Sequence, residues 1–159
     1  MGDRRRFDLF AELIRKNFNP AQYKSIADVA AGKGYLQVAL REKGFKEVRS
    51  FDLRRKVFHG LDYRRILFDS TIPGKFDLIC GMHPDEATDV IIDTAARLRI
   101  PFVLCPCCTR PTVTIYWGAK LSFKGWYNHL VRFAKIKGFE VQEIRLHMNG
   151  RNDCILGRI

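Results

Sequence analysis

The sequence predicts a single α/β domain in which a mostly parallel, seven-stranded sheet carries helices on both faces. Three observations support this prediction: short apolar segments alternate with stretches of helical periodicity, no repeat or Pro/Gly/Ser linker divides the 159 residues, and Asn149-Gly150 separates the last two apolar segments. Strands that alternate with helices favour right-handed crossovers and a parallel sheet. Asn-Gly is a hairpin signal, so we expect the final two strands to be antiparallel.

The individual elements follow from the spacing of apolar residues. Between Phe7 and Phe18 these residues recur at helical spacing, and Asn19-Pro20 ends the pattern, which predicts an N-terminal packing helix within residues 1–20. Residues 21–159 are predicted to form the main domain. Its predicted strands cover residues 26–30, 48–52, 65–68, 76–80, 101–105, 141–148 and 154–159, and its predicted helices cover 35–43, 87–98 and 122–137.

Composition and charge restrict the class of protein. Apolar residues make up 47% and charged residues 28%, which is typical of a globular rather than a disordered chain. Lysines and arginines number 28 against 17 aspartates and glutamates, and the net charge of +11 favours an acidic partner such as nucleic acid. No apolar run is long enough to cross a bilayer, and five cysteines do not suggest a secreted disulfide framework. We expect a cytoplasmic protein without membrane contact.

A small-residue loop after the first predicted strand is the main binding signal. Asp28-Val-Ala-Ala-Gly-Lys-Gly34 lies between that strand and a helix, so a ligand can approach the backbone and the N–H groups of the helix. Asp52 ends the second predicted strand, where an acid can accept hydrogen bonds from both hydroxyls of a ribose. Together they indicate a nucleoside-containing cofactor. The dinucleotide pattern G-x-G-x-x-G is absent, so a nicotinamide-dependent enzyme is the weakest alternative.

The same loop resembles the first motif of the class I S-adenosylmethionine-dependent methyltransferases, D/E-x-G-x-G-x-G, with Ala30 in place of the first glycine. The resemblance implies a Rossmann-like fold and S-adenosyl-L-methionine as the cofactor. It also implies that Asp52 binds the ribose and that Asp69, after the third strand, contacts the adenine. The full set of cofactor-binding residues that it implies is Asp28, Ala30, Ala31, Gly32, Gly34, Asp52, Leu53, Asp69, Cys80 and Gly81.

Two further segments resemble the acceptor side of a smaller group of methyltransferases. Residues 81–88 contain an H-x-x-x-A-T pattern, and Pro106-Cys-Cys108 matches a P-C-C pattern. That group includes tRNA ribose 2′-O-methyltransferases and proteins related to ribosomal-RNA adenine methyltransferases, so the resemblance implies an RNA substrate, with tRNA ahead of rRNA. The N/D-P-P-Y/F motif that holds a base amino group is absent, and the acceptor atom therefore stays open.

Four residues are candidates for catalysis at the acceptor. Methyl transfer requires in-line positioning and a base where the acceptor loses a proton. We expect His83 to be this base, with a purely structural role as its alternative. Asp85 is the second candidate, and its alternative role is to cap the helix that follows. Cys107 and Cys108 have three interpretations: a metal site, a covalent nucleophile for a pyrimidine ring, or the wall of the acceptor pocket. We favour the pocket wall and predict no bound metal.

Basic residues near strand ends predict how RNA binds. Arg54, Arg55 and Lys56 follow the second predicted strand, and Tyr116 and Trp117 provide aromatic rings after the P-C-C segment. Cations with aromatic rings can hold a phosphate backbone and stack an unpaired base. The small size of the chain is also consistent with a protein partner that recognises the substrate. The alternatives are a small-molecule or protein methyltransferase and a non-catalytic S-adenosylmethionine-binding, RNA-binding module.

Overall fold

A computed structural model describes residues 5–55, 57–114 and 122–159. Within these residues, helices and strands alternate along most of the chain, as the apolar spacing predicts. The elements in order are α1 (Arg6–Asn17), β1 (Ser25–Val29), α2 (Tyr35–Glu42), β2 (Glu47–Phe51), β3 (Tyr63–Arg64), β4 (Leu78–Met82), a 3-10 turn (Asp85–Ala87), α3 (Thr88–Leu98), β5 (Phe102–Cys105), α4 (Phe123–Ile136), β6 (Glu140–Arg145) and β7 (Asp153–Arg158).

The strands form one sheet in the order β3-β2-β1-β4-β5-β7-β6. The first five strands are parallel, and β7 lies antiparallel to both β5 and β6. The predicted fold class, including the antiparallel C-terminal pair, is therefore confirmed. The strand order reverses between β1 and β4, and in a sheet of this kind ligands bind at that point, beyond the carboxyl ends of the strands.

The core has two layers because both faces of the sheet are covered by helices. Alternate residues of each central strand point to opposite faces, so Ile26 packs with α1 and α2 whereas Ala27 packs with α3 and α4. Burial on both faces explains why the central strands are continuous apolar runs rather than alternating ones. Each large side chain buried in this way contributes roughly 1.5–3 kcal/mol. Trp126 of α4 is fully buried.

The prediction for the third strand is wrong in position. The strand covers Tyr63–Arg64 rather than residues 65–68, because the main chain on either side of Tyr63 pairs with β2: Ser50 N–H donates to Asp62 and Asp52 N–H donates to Arg64. Leu67 is 72% exposed. Phe68 lies in a loop, and its side chain is buried against the ring of Phe51. The apolar run therefore reflects one buried loop residue and not a strand.

Two other boundaries differ from the prediction for local reasons. Strand β4 begins at Leu78 because the side chain of Asp77 accepts hydrogen bonds from the main chain of Lys24 and Ser25, at the start of β1. The last hairpin has a connection over residues 146–152, longer than the Asn-Gly pair alone. Asn152 closes this connection by donating hydrogen bonds to the carbonyls of Leu146 and Met148. None of the helices among the described residues has the length and apolarity to span a membrane.

Candidate functional site

A cavity of about 380 Å³ opens at the carboxyl edge of the sheet, around the point where the strand order reverses. Loops after β1, β2, β4 and β5 contribute to its wall, and α1 covers one side. Eight of the fourteen predicted site residues line this cavity: Asp28, Ala30, Ala31, Gly32, Asp52, His83, Asp85 and Cys107. The structure therefore brings residues from both the cofactor motif and the acceptor segments to one cavity.

The loop after β1 has a left-handed backbone at three alternate positions. Ala30, Gly32 and Gly34 have φ angles of 55°, 60° and 93°. Left-handed backbone is unfavourable for residues with a Cβ atom, which explains why the resembling motif has glycine where this chain has Ala30. No atom lies within 4 Å of the position that a Cβ would occupy at Gly32, whereas a Cβ at Gly34 would overlap Leu61. Gly32 therefore leaves room for a ligand, and Gly34 permits close packing.

Asp52 connects the end of β2 to this loop. Its Oδ2 accepts a hydrogen bond of 2.8 Å from the main chain of Gly32, and its Oδ1 accepts one of 3.0 Å from the main chain of Arg54. The Tyr63 hydroxyl donates to the Gly32 carbonyl and fixes the loop from the β3 side. A carboxylate has about four lone-pair sites, so Asp52 can still accept hydrogen bonds from a ligand hydroxyl.

Asp28 is a buried acid in the cavity wall, with 1% of its surface exposed. A chain of hydrogen bonds holds it: Gln37 Nε2 donates to Ser50 Oγ, and Ser50 Oγ donates to Asp28 Oδ2, each at 2.8 Å. Burial raises the pKa of Asp28 from 3.8 to about 7, the Ser50 hydrogen bond works in the opposite direction, and the charge of Asp52 raises the pKa further. Two acids at one cavity favour a ligand that brings positive charge.

His83 lines the cavity from the loop after β4 and has a left-handed conformation, with φ of 56°. Its main-chain N–H donates to the Cys105 carbonyl at 3.0 Å, and its Nε2 is 2.9 Å from the Arg151 carbonyl. Because a carbonyl only accepts, Nε2 carries the proton, and in the neutral ring Nδ1 is the acceptor. Burial works to lower the pKa of His83, but hydrogen bonds with Cys105 and Arg151 outweigh it and raise the pKa.

Asp85 contacts the two neighbouring thiols instead of capping a helix. Its Oδ1 accepts from Cys107 Sγ at 3.2 Å and from Cys108 Sγ at 3.8 Å, and no side chain caps either the 3-10 turn or α3. Burial and the contact with Asp85 raise the pKa of Cys107 to about 12, and burial also raises the pKa of Cys108. A nucleophilic cysteine needs a lowered pKa, so these contacts do not support the covalent interpretation.

The remaining six predicted residues do not line the cavity. Asp69 is exposed and accepts hydrogen bonds from the main chain and hydroxyl of Thr71, which lower its pKa. Leu53 is 57% exposed. Cys80 and Gly81 are buried within β4, Gly34 packs on Leu61, and Cys108 lies beside the cavity through its contact with Asp85.

Several residues of the cavity were missed by the sequence analysis. Arg6, Phe7 and Tyr35 line it, and the rings of Phe7 and Tyr35 stack with centroids 5.2 Å apart. Helical spacing assigns Phe7 to a packing face but does not distinguish a core contact from a cavity wall. Among the predicted RNA-binding residues, Arg54 lines the cavity and Arg55 is exposed nearby. Lys56, Tyr116 and Trp117 lie outside the described residues.

Comparisons with known proteins agree on methyltransferases. No protein-family model matches the chain. A probable tRNA (uracil-O(2)-)-methyltransferase of Caenorhabditis elegans is 27% identical over 170 residues, covering 93% of this chain and 30% of the relative. The Drosophila melanogaster protein of the same name is 26% identical over 141 residues, covering 77% of this chain and 26% of the relative. The chain thus spans 30% or less of the length of these relatives.

Solved structures show the same fold at low identity. A ribosomal protein L11 methylase from Lactobacillus delbrueckii has a TM-score of 0.66 at 16% identity, covering 99% of this chain and 79% of that chain. A SAM-dependent methyltransferase from Aquifex aeolicus has a TM-score of 0.60 at 15% identity, covering 98% and 93%. The methyltransferase domain of bacterial CtHen1 has a TM-score of 0.61 at 10% identity, covering 98% of both chains. The chain therefore has the fold of these methyltransferases.

Proposed function

We propose that this chain is an S-adenosylmethionine-dependent methyltransferase that acts on tRNA. The observation that carries the proposal is one cavity at the point where the strand order reverses. Asp28, Asp52 and Gly32 line it together with His83, and Gly32 leaves its part of the wall free of side-chain atoms. The relatives named tRNA (uracil-O(2)-)-methyltransferases support tRNA as the substrate and an oxygen of a uracil nucleotide as the acceptor.

The cavity residues fit this cofactor. S-adenosylmethionine carries a sulfonium and an ammonium group, and two acids, Asp28 and Asp52, face the cavity. The carboxylate of Asp52 accepts two hydrogen bonds, both from the main chain, out of about four that it can accept. Its remaining lone pairs can accept hydrogen bonds from ribose hydroxyls. The backbone of Gly32 lets the ligand lie against the loop, since nothing lies within 4 Å of the missing side chain.

The chemistry required of the chain is positioning and proton removal. When bound, S-adenosylmethionine supplies a methyl group on a sulfonium leaving group, so the protein has to align the acceptor and accept its proton. His83 would accept the proton of the acceptor hydroxyl as that oxygen takes the methyl group that the cofactor would supply. Nδ1 of His83 is the nitrogen for this step, because Nε2 already donates to the Arg151 carbonyl.

Positive charge around the cavity suits an RNA backbone. Arg6, Lys33 and Arg54 are at its wall, and the exposed Arg55 follows Arg54. Phosphate contacts of this kind give an affinity that falls with salt, because binding releases counterions from the RNA. We assign the RNA backbone to this side of the molecule.

The test is methyl transfer from labelled S-adenosylmethionine to separate pools of tRNA, rRNA and protein. We expect label to enter tRNA and His83→Gln to lower turnover by about 10²–10⁴-fold while cofactor affinity is retained, the usual contribution of a general base. His59→Gln is the matched control, because His59 is exposed and does not line the cavity. No transfer to tRNA, or equal turnover by the two histidine variants, would contradict the proposal.

A further inference from the structure

Asp85, Cys107 and Cys108 form a cluster that we call the thiol–carboxylate cluster. The three residues come from two separate loops, one after β4 and one after β5, and the parallel pairing of Met82 with Cys105 brings those loops together. Their ligand atoms, one carboxylate oxygen and two sulfurs, all lie within 4.8 Å of one another. Two soft sulfur ligands and one oxygen in such proximity are a donor set for a divalent metal ion.

The two sulfur–oxygen distances within the cluster are close to those around a tetrahedral zinc ion. With bonds of about 2.3 Å to sulfur and about 2.0 Å to oxygen, tetrahedral geometry separates sulfur and oxygen ligands by roughly 3.5 Å. The corresponding distances are 3.2 Å from Asp85 Oδ1 to Cys107 Sγ and 3.8 Å to Cys108 Sγ. Both sulfur–oxygen distances therefore lie within a few tenths of an ångström of tetrahedral geometry, and the two sulfurs lie within 4.8 Å of each other.

The identity of the ligands selects the metal, and their position leaves one coordination site open. Thiolates favour zinc over magnesium or calcium, which prefer oxygen ligands. Asp85 and Cys107 line the cavity, so a fourth coordination position can face the cavity. Three protein ligands with an open fourth position are the pattern of catalytic zinc sites, whereas structural sites have four protein ligands.

We propose, in place of the sequence-based expectation of no bound metal, that the thiol–carboxylate cluster binds one zinc ion with its open position toward the cavity. Arg110, which pairs with Glu86, lies close enough to influence Cys108 and adds positive charge beside the two thiolates. If the function proposed above is correct, the open position lies on the acceptor side of the cavity, where zinc can polarise a hydroxyl oxygen of the RNA. This role rests on the proposed function, but zinc binding itself does not.

The test measures zinc binding by the whole chain without S-adenosylmethionine or RNA. Protein purified under reducing conditions is stripped with a chelator and titrated with Zn²⁺ against a chromophoric competitor, and Co²⁺ is then substituted to detect thiolate-to-metal charge-transfer absorption. We expect one ion per chain and a thiolate signal. Cys107→Ser, Cys108→Ser and Asp85→Asn should each weaken binding at least about tenfold, as the loss of one ligand does.

Two control variants test whether the loss is specific to the cluster. Cys154→Ala removes a buried thiol elsewhere in the sheet, and Glu47→Gln removes an exposed acid at the start of β2. Both should retain the affinity and the charge-transfer absorption of the unmodified chain. Circular dichroism of each variant separates loss of a ligand from loss of the fold.

Two results would overturn the inference: no stoichiometric zinc in the folded chain, or equal zinc affinity in the cluster variants and the controls. Titration of the same samples with S-adenosylmethionine distinguishes this failure from failure of the proposed function. A chain that binds the cofactor but no zinc removes only the metal site. A chain that binds zinc but no cofactor retains the metal site and contradicts the proposed function.

Discussion

Replacing Asp28 by asparagine should stabilise the fold and weaken cofactor binding at the same time. The carboxyl is fully buried, and its pKa rises from 3.8 to about 7 on folding. In the unfolded chain this group loses its proton near pH 4, whereas the folded chain retains the proton to about pH 7. The unfolded state therefore binds fewer protons between these values, and the free energy of unfolding falls as the pH rises through them.

The size of the effect follows from the shift in pKa. At 1.36 kcal/mol per pKa unit, a rise from 3.8 to about 7 corresponds to about 4 kcal/mol of stability lost between pH 4 and pH 8. Asparagine has nearly the same shape, cannot ionise and can still accept the hydrogen bond from Ser50. We expect Asp28→Asn to be about 2–4 kcal/mol more stable than the unmodified chain at pH 8 and about equal in stability at pH 4.

Urea unfolding followed by circular dichroism at several pH values measures this difference directly. Other titrating groups are common to both proteins, so their contributions cancel in the comparison. A difference in stability that does not change between pH 4 and pH 8 would refute the reasoning.

The same variant should bind S-adenosylmethionine about 10- to 100-fold more weakly, because a charged partner of the ligand is lost. Calorimetry in buffers of different ionisation enthalpy should show proton release on binding to the unmodified chain near pH 7 and less release from the variant.

Two further substitutions test the loops around the cavity. Ala30→Gly should raise the free energy of unfolding by no more than about 1 kcal/mol, because glycine adopts a left-handed backbone without strain. A decrease of more than about 1 kcal/mol in the free energy of unfolding, measured by thermal unfolding, would contradict this account of the loop. Asp69→Asn should leave cofactor affinity within about twofold by calorimetry, because Asp69 binds Thr71 and does not line the cavity. A tenfold loss of affinity would instead support the adenine contact that the family resemblance implies.

The parts of the fold that the sequence predicts correctly are those specified by local pattern. Residues such as Ile26 and Ala27 are both apolar because both faces of β1 are buried, and such runs alternate visibly with helical spacing. The two-residue strand β3 has no such pattern, because main-chain hydrogen bonds to β2 define it and not the burial of its side chains. A short edge strand of this kind depends on where its neighbour lies, which a single sequence does not reveal.

In the candidate site, too, the sequence predicts the features that depend on local pattern and misses those that depend on contacts between distant elements. The loop after β1 is recognisable because its backbone conformation and close approach to a ligand demand small residues in one short stretch. The hydrogen bonds from Gln37 through Ser50 to Asp28 connect residues on three elements, so no spacing in the sequence indicates them. The contact of Asp85 with the two thiols likewise depends on the pairing of β4 with β5, although the adjacency of those loops could be inferred from the predicted sheet.

Binding of S-adenosylmethionine, measured by calorimetry at pH 8, tests the central claim most directly. The account predicts one molecule bound per chain, binding at least about tenfold weaker for Asp52→Asn, and unchanged binding for Glu47→Gln, an exposed acid at the opposite end of β2. Nicotinamide adenine dinucleotide should give no comparable heat. Absence of S-adenosylmethionine binding by the folded chain, or equal affinity in the two variants, would contradict the assignment of this cavity as the cofactor site.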